Sequence, residues 1–300
     1  MNQFVDLSII IVSYNTKDIL QECLTSLFTN TPKKYTSEVI VVDNNSKDDS
    51  IKMVQQEFPQ VLLFENKENF GFSKANNIGV KKAKGRYVLF LNSDTVVYDH
   101  TIETMIAFMD DHQDAGAATC RVELSNRKLD DAAHRGFPTP WNAFCHFSGL
   151  AKIFPKSRIF AGYSLGWKDV SKIHEIDACA GAFMMVQRKA GEKVGWWDED
   201  FFWYGDDLDF CYRLKEKGWK IYFVPTVSIL HYKGVSGGIK SISEHLTTAN
   251  EETRKKATKA RFEAMKIFYK KHYVKKYPWF ITWLVMQGIN LKLRFTSANT

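Results

Sequence analysis

Three aspartates follow a run of aromatic residues in the final third of the chain. Asp206, Asp207 and Asp209 come soon after residues 201–204, which read Phe-Phe-Trp-Tyr. Flat aromatic faces beside a carboxylate suit a carbohydrate ligand. A carboxylate held among aromatic rings and next to another aspartate is expected to have a raised pKa, which helps it act as a general base. We therefore interpret Asp207 as a candidate base. The alternative is a helix start, where the helix dipole favours acidic residues.

A second group of oxygen atoms follows an apolar run, at Asn92-Ser93-Asp94. Divalent cations with oxygen ligands are held by one or two protein carboxylates together with substrate phosphates, so Asp94 is a candidate ligand for Mg²⁺ or Mn²⁺ against a diphosphate. His231, which also follows an apolar run, is a candidate second ligand. The alternatives are a turn or cap for Asp94 and a hydrogen-bonded edge histidine for His231.

Three apolar runs describe the scaffold for these residues. Residues 7–12, 39–42 and 87–91 are short and rich in apolar side chains, as in parallel strands that are buried on both faces. Ligands of such sheets bind at the carboxyl ends of the strands. Because polar motifs follow these runs, we expect one site at that edge, with a nucleotide as its ligand.

The motifs after the first two runs could bind a nucleotide, although neither of them contains a glycine-rich phosphate-binding loop. Ser13-Tyr14-Asn15 offers hydroxyl and amide groups, and Asp43 can accept hydrogen bonds from a ribose or a pyrimidine N–H. The glycine-rich loops of dinucleotide-binding folds and of P-loops do not follow the first run. This argues against a dehydrogenase, and a nucleotidyltransferase would also need a basic glycine-rich loop there. The alternative reading of residues 43–46 is a turn with a helix cap.

Strand and helix patterns alternate along the chain, which predicts an α/β fold with a mostly parallel sheet flanked by helices. Helices are expected at residues 17–28, from Ser46 to about 58, at 73–84, 101–111 and 206–217, with further strands at 61–64, 117–122, 182–186 and 220–224. Residues 123–176 lack a clear period. We expect one domain over residues 1–245, with a nucleotide-binding half at about 1–122 and an acceptor-binding half at about 123–245, and then a helical tail at 246–300.

The tail carries the chain's basic character. The chain has a net charge of +7, yet ten Lys or Arg between Arg254 and Lys276 meet the single acid Glu263. Phe262, Met265, Tyr269 and Tyr273 recur there at helical spacing, and residues 277–289 are uncharged and aromatic. Thirteen residues are too short to span a bilayer, but the combination suits a helix on an anionic membrane surface. The alternatives are packing on the body or a contact in a homo-oligomer, and no nucleic-acid partner is expected.

The cysteines indicate a reducing compartment. Five cysteines are scattered without a Cys-x-x-Cys pair, so neither a disulfide framework nor a zinc site is predicted. The start of the chain lacks a basic segment before its short apolar run, which argues against a signal peptide. We therefore expect a cytoplasmic protein that is peripheral on the inner face of the membrane.

Several motifs taken together resemble one family. These are Asp43-Asn44-Asn45-Ser46, the Asn-x-Gly-Phe-x-x-Ala-x-Asn-x-Gly pattern from Asn69 to Gly79, Leu91-Asn92-Ser93-Asp94, Ala180-Gly181-Ala182-Phe183, and the segment from Tyr204 to Cys211. Over residues 7–231 the chain resembles the family 2 inverting glycosyltransferases of the GT-A fold, and most closely their bacterial rhamnosyltransferase-type branch. Two departures are Asn92 in place of the first metal-binding acid and Asp206 in place of the glutamate before the base.

The resemblance implies a role for each matching residue. It makes Asp207 the catalytic base and Asp94 a ligand for Mg²⁺ or Mn²⁺, while His231 remains the candidate second ligand that its position after an apolar run suggests. Acceptor binding would fall to Gly181, Trp203 and Asp206. The nucleotide sugar would be bound by Ser13, Tyr14, Asn15, Asp43, Asn45, Gly71, Lys74, Asn77, Ser93 and Asp94, with Lys74 assisting the leaving diphosphate.

The activity implied is transfer of a sugar, with inversion, to a hydroxyl of a glycan or lipid-linked acceptor in cell-surface polysaccharide synthesis. Rhamnose from dTDP-rhamnose is the expected donor sugar. The alternatives are a UDP-sugar carrying a hexose, an N-acetylhexosamine or galactofuranose, and a non-catalytic protein that binds nucleotide sugars.

Overall fold

A computed structural model describes residues 5–235, 237–238, 246–247 and 249–297. Within them, helices flank a nine-stranded sheet. The strands are β1 (Leu7–Ser13), β2 (Ser37–Asp43), β3 (Leu62–Glu65), β4 (Tyr87–Asn92), β5 (Thr95–Val97), β6 (Ala115–Glu123), β7 (His174–Ile176), β8 (Phe183–Gln187) and β9 (Lys220–His231). The helices are α1 (Lys17–Asn30), α2 (Ser50–Glu57), α3 (Gly71–Val80), α4 (Thr101–Asp111), α5 (Pro140–Ser148), α6 (Leu150–Ile153), α7 (Arg188–Val194), α8 (Asp206–Glu216), α9 (Glu251–His272) and α10 (Trp279–Ser297). The α/β prediction is confirmed.

The first half of the sheet is parallel, in the order β3-β2-β1-β4. The central residues of β1, β2 and β4 are apolar and buried because helices cover both faces of the sheet there. Ile9 and Ile11 pack with the buried side chains of α1, α2 and α4. Ile10 and Phe90 point to the opposite face and pack with α3, α7 and α8. Each such buried side chain stabilises the fold by about 1.5–3 kcal/mol, so the register that aligns the carboxyl ends is strongly specified.

The second half of the sheet is mixed, in the order β8-β6-β9-β5, with β7 also on β9. β8 runs antiparallel to β4 and β6, while β9 is parallel to β6 and antiparallel to β5 and β7. The continuous parallel arrangement that we predicted is therefore found in β1–β4, and in the second half of the sheet only the β6–β9 pair is parallel. The reason is topological, since the long segment before β8 returns the chain to the sheet beside the end at which β4 stops.

Local hydrogen bonds shift several predicted boundaries. Ser46 does not cap a helix, because its hydroxyl donates to Asp43 and its backbone N–H donates to the same carboxylate, so α2 begins at Ser50. The helix expected at 73–84 is Gly71–Val80. The last predicted strand continues past residue 224 to His231 through a register shift. Residues 123–176, which have no clear period, contain α5, α6 and β7.

The N-terminus of α8 is held in place from two sides. Phe210 is fully buried, with its ring stacked at 5.0 Å from that of Trp197 and packed against Phe90. On the other side of the helix the buried Asp209 pairs with Arg213 at 2.7 Å and with His272 of α9 at 2.7 Å. These contacts fix the first turn of α8, where the acidic cluster lies, relative to both the sheet and the tail.

The two tail helices behave differently. Phe262 and Tyr269 of α9, and Tyr273 directly after it, are buried against the body, so the stripe that we considered for a membrane surface is a packing surface. In α10, by contrast, Trp279 is 80% and Trp283 57% exposed. Within the described ranges, none of the helices is both long and apolar enough to cross a bilayer. The predicted boundary at residue 245 lies outside the described residues.

Candidate functional site

One large cavity, of about 560 Å³, opens beyond the carboxyl ends of β1 and β4 and the first turn of α8. Its wall combines segments from the whole length of the chain. Nine of the predicted site residues line it, namely Tyr14, Gly71, Ser93, Asp94, Gly181, Trp203, Asp206, Asp207 and His231. The structure therefore brings the candidate base, the candidate metal ligands and the aromatic run to one place.

Six other predicted residues lie outside the cavity wall. Four of them lie at the ends of β1 and β2, where Ser13 and Asp43 are the last strand residues and Asn15 and Asn45 belong to the turns that follow. Both oxygens of the buried Asp43 carboxylate accept hydrogen bonds from Ser46, at 2.7 and 2.5 Å, and the Ser46 hydroxyl also accepts the backbone N–H of Asn15. These bonds hold the two turns together, as in the turn reading of residues 43–46. The residue of this motif that does line the cavity is Asn44.

The other two lie on α3. The ammonium group of Lys74 lies 3.9 Å from the ring centroid of Phe70. Asn77 donates to the carbonyl of Trp197 and accepts its backbone N–H, at 2.9 and 3.1 Å, and so fastens α3 to the segment before α8. Gly71 starts the helix with φ +78°, and an added Cβ would lie 2.4 Å from the carbonyl oxygen of Phe202, so only glycine fits there.

His231 stands between two carboxylates. Its Nε2 is 3.2 Å from Asp94 and its Nδ1 is 3.1 Å from Asp130, and the three side chains are buried. Burial alone would lower the pKa of His231, but the two carboxylates outweigh burial and raise it to about 9. Lys233 pairs with the other oxygen of Asp130. Asp130 thereby orients the histidine ring, as carboxylates next to metal-binding histidines do.

The donor set at this position fits a cation that shares its ligands with a diphosphate. Asp94 and His231 provide one carboxylate and one imidazole on the cavity wall. Groups of three or more His, Cys, Asp or Glu suited to a metal are absent from the described part of the chain. Mg²⁺ and Mn²⁺ commonly take one or two protein ligands and complete their shell with phosphate and water. Since a ligating imidazole must be neutral, metal binding would displace a proton from His231.

The two adjacent aspartates of α8 have opposite surroundings. Asp207 forms an ion pair of 2.5 Å with Arg135. Burial alone would lower the pKa of the Arg135 guanidinium, but the Asp207 carboxylate outweighs burial and raises the pKa of Arg135. The Asp206 side chain is buried and accepts from Ser73 at 3.3 Å and from the backbone N–H of Asp207 at 3.0 Å. Burial, and then the Asp207 charge, raises the pKa of Asp206. The raised pKa that we expected for a carboxylate in this cluster thus belongs to Asp206.

Three of the four aromatic residues at 201–204 line the cavity next to these aspartates, namely Phe202, Trp203 and Tyr204. The fourth, Phe201, is buried in the core. The rings of Trp203 and Tyr204 stack at 5.8 Å. Tyr204 has φ +72° and Gly205 φ +78°. A non-glycine residue in this region carries backbone strain of order 1–3 kcal/mol. The turn that it makes brings flat rings beside the carboxylates.

Sequence reasoning missed several polar residues of the wall. Arg135 and Asp130 come from the region without periodicity, and Lys233 follows β9. No sequence pattern marks Asp130 or Arg135 as a site residue. Their positions depend on contacts with residues that are far away in the chain, namely Lys233, His231 and Asp207. Lys233 had one available signal, since it lies two residues after a candidate ligand.

The comparisons with known proteins agree with this geometry. The family model described as glycosyl transferase family 2 matches residues 8–170, more than half of the chain. Rhamnosyltransferase WbbL of Escherichia coli (strain K12) is 28% identical over 233 residues, which is 75% of this chain and 82% of the relative. N-acetylglucosaminyl-diphospho-decaprenol L-rhamnosyltransferase of Mycobacterium tuberculosis (strain CDC 1551 / Oshkosh) is 24% identical over 258 residues, 82% of each chain.

Similarity to a solved structure confirms the GT-A fold. The crystal structure of GalNAc-T7 with UDP, GalNAc and Mn²⁺ superimposes with a TM-score of 0.57 at 18% identity, covering 77% of this chain and 44% of that one. The names of the two relatives confirm the likeness to the rhamnosyltransferase branch. The chain therefore belongs to glycosyl transferase family 2, and it is a glycosyltransferase.

Proposed function

We propose that this glycosyltransferase moves rhamnose from dTDP-rhamnose to a hydroxyl of a glycan or lipid-linked acceptor in cell-surface polysaccharide synthesis, with inversion at the anomeric carbon. The observation that carries the proposal is the Asp207–Arg135 pair on the wall of a cavity that also contains Asp94 and His231. The names of the two rhamnosyltransferase relatives support the choice of sugar.

Asp207 and Asp206 have different proposed roles in proton transfer. The ion pair with Arg135 fixes the direction of the Asp207 carboxylate on the cavity wall, and we assign this carboxylate the role of proton acceptor. Asp206, whose pKa is raised, keeps a proton more readily and orients the backbone beside it. Two carboxyl groups whose surroundings differ in this way are typical of acid–base sites. In the proposed single displacement, Asp207 takes the acceptor proton while the acceptor oxygen attacks the anomeric carbon, and the bond from that carbon to the diphosphate breaks to release dTDP.

The nucleotide half of the site is proposed for residues 1–122 and the acceptor half for residues 123–245. Tyr14, Gly71 and Ser93 line the cavity on the first side and Gly181 and Trp203 on the second. Asp94 and His231 would hold Mg²⁺ or Mn²⁺ there, and the cation would supply positive charge for the leaving diphosphate. Lys74 contacts Phe70 and would have to move to reach that diphosphate.

Membrane association is proposed on the exposed face of α10. Trp279, Phe280, Trp283 and Leu284 are each between 48% and 80% exposed, and α9 beside them is basic. Aromatic side chains next to cationic ones suit the interface of an anionic bilayer. We propose that the protein is cytoplasmic and peripheral on the inner face of the cell membrane.

The Asp207→Asn variant tests the base. Transfer should fall by roughly 10²–10⁴-fold, the usual effect of losing a general base, while donor affinity stays nearly unchanged. Transfer is measured with saturating donor and acceptor, and circular dichroism checks that the unpaired Arg135 leaves the fold intact. Asp200→Asn is the matched control because Asp200 is 69% exposed and pairs with Lys271 outside the cavity. Near-normal transfer by Asp207→Asn would make Asp206 the candidate.

Calorimetry with dTDP, UDP and GDP tests the donor and the cation. We expect the pyrimidine nucleotides to bind more tightly than GDP and every affinity to fall when a chelator removes Mg²⁺ or Mn²⁺. Asp94→Ala should weaken the metal-dependent part of binding, because Asp94 supplies the carboxylate on that wall. Equal affinity with and without chelator, or a preference for GDP, would contradict the proposed donor site.

Vesicle sedimentation tests the membrane surface. Because α9 is packed on the body, point variants are preferable to deletion of the tail. Replacing Trp279, Trp283 and Leu284 with Ser should reduce binding to anionic vesicles by about tenfold or more, since each buried apolar side chain contributes about 1.5–3 kcal/mol. Leu62→Ser, at an exposed leucine of β3, is the control. If the triple variant sediments like the unmodified protein, α10 is not the contact surface.

A further inference from the structure

Two histidines outside the large cavity are bonded directly to each other, and we call them the histidine pair. The Nε2 atoms of His134 and His174 lie 2.7 Å apart. His134 is 4% exposed, and both rings pack against the buried ring of Phe223, at centroid distances of 4.9 and 5.5 Å. Neither histidine lines the large cavity. Any role of the histidine pair in the reaction is therefore indirect.

The hydrogen bond between the two rings requires a neutral His174. Its Nδ1 lies 2.8 Å from the backbone carbonyl oxygen of Lys172, and a carbonyl only accepts, so this nitrogen carries the hydrogen. The Nε2 of neutral His174 then holds a lone pair, which accepts the hydrogen on Nε2 of His134. A further proton on His174 would occupy that lone pair and set two N–H groups against each other. The bond is therefore lost when His174 becomes charged.

The surroundings keep both rings neutral. Burial lowers the pKa of His134 to about 4, with smaller contributions from His174 and Lys168. Burial also lowers the pKa of His174, and Lys168 adds to this effect against the carbonyl of Lys172 and the charge of Asp169. Other charged side chains beside His134 line a small cavity of about 260 Å³, namely Asp131 and Lys156. Because both pKa values are lowered, the histidine pair stabilises the fold fully above about pH 6.5 and progressively less as the pH falls toward about 4.

His134 lies in the segment that carries two polar residues of the catalytic wall. Arg135 follows it directly, and Asp130 lies four residues before it. His174 begins β7, which pairs with β9. Two backbone hydrogen bonds between Arg135 and Ala178, of 3.2 and 3.0 Å, join the same two segments a little further along. The histidine pair and these backbone bonds therefore hold the Arg135 segment against the sheet.

We propose that the histidine pair positions Arg135 for its contact with Asp207. The inference rests on the proposed function, in which Asp207 is the base. His134 is adjacent to Arg135 in the chain, so loss of the bond between the rings loosens the side chain that fixes the direction of the Asp207 carboxylate. Both histidines are positioning residues, and neither takes part in proton transfer. Transfer should decline when the histidine pair is broken, either by substitution or by acid.

Transfer by two variants at His174 tests the positioning role. His174→Leu removes the acceptor of the bond, and kcat should fall about tenfold with dTDP affinity unchanged, because small displacements of a catalytic group are costly. His174→Gln still offers an acceptor but cannot take up a proton, so it should restore most of kcat at neutral pH. Between about pH 6.5 and about 4 its kcat should fall less steeply than that of the unmodified chain. Asp206 and Asp207 are present in both proteins, so the difference between the two profiles reports the histidine pair.

His112→Leu is the matched control. Like His174, His112 is partly buried and places Nδ1 near a backbone carbonyl, that of Phe108 at 2.9 Å. Its ring packs against Phe108 of α4 and Tyr222 of β9, and not against the Arg135 segment. This variant should transfer like the unmodified chain, and circular dichroism checks that each variant is folded.

NMR of the Arg135 side chain separates this inference from the proposed function. The Nε–H of Arg135 is buried, and its signal is assigned by its absence from Arg135→Lys. The signal should shift or broaden in His174→Leu and stay unchanged in His112→Leu. An unchanged signal in His174→Leu, a normal kcat of that variant, or identical pH profiles of His174→Gln and the unmodified chain would each overturn the positioning role. The expected response of the signal in a protein that transfers no rhamnose would contradict the donor assignment and support the positioning of Arg135.

Discussion

The buried ion pair between Asp207 and Arg135 is the contact on which the site depends. It joins α8 to a segment that is otherwise irregular, and both side chains are less than one fifth exposed. Two charges held away from water are favourable only when each has its partner, and loss of one partner typically costs 3–5 kcal/mol. The pair therefore couples the position of the proposed catalytic carboxylate to the fold of residues 123–176. Packing of Phe210 on one side of α8 and the Asp209 contacts on the other hold the helix where the pair can form.

The parts of the site that follow sheet geometry could be predicted from the sequence. Strands buried on both faces are recognisable as continuous apolar runs, and parallel strands bring their carboxyl ends together. Tyr14 and Asp94 reached the cavity for this reason. Asp43 does not line the cavity, because both oxygens of its carboxylate accept hydrogen bonds from the nearby Ser46. Composition cannot decide between these outcomes, since the same side chains serve both.

Long-range contacts explain the features that sequence patterns could not supply. Arg135 and Asp130 lie in a region without periodicity, and their partners are far away in the chain. The apolar stripe of α9 has the same spacing whether it faces a membrane or the protein, and the burial of Phe262 and Tyr269 in the structure shows that it faces the protein. The mixed half of the sheet has a similar origin, because strand direction depends on where a long connection re-enters.

The proposed reaction is a single displacement in which Asp207 deprotonates the acceptor. The anomeric configuration of the product tests this reaction, and it is determined by proton NMR after reaction of the purified protein with dTDP-rhamnose and a hydroxyl acceptor. A single displacement gives a new glycosidic bond with the configuration opposite to that of the bond in the donor, and this is the expected result. A product with the donor's configuration would contradict it, because retention requires two displacements or a different kind of attack.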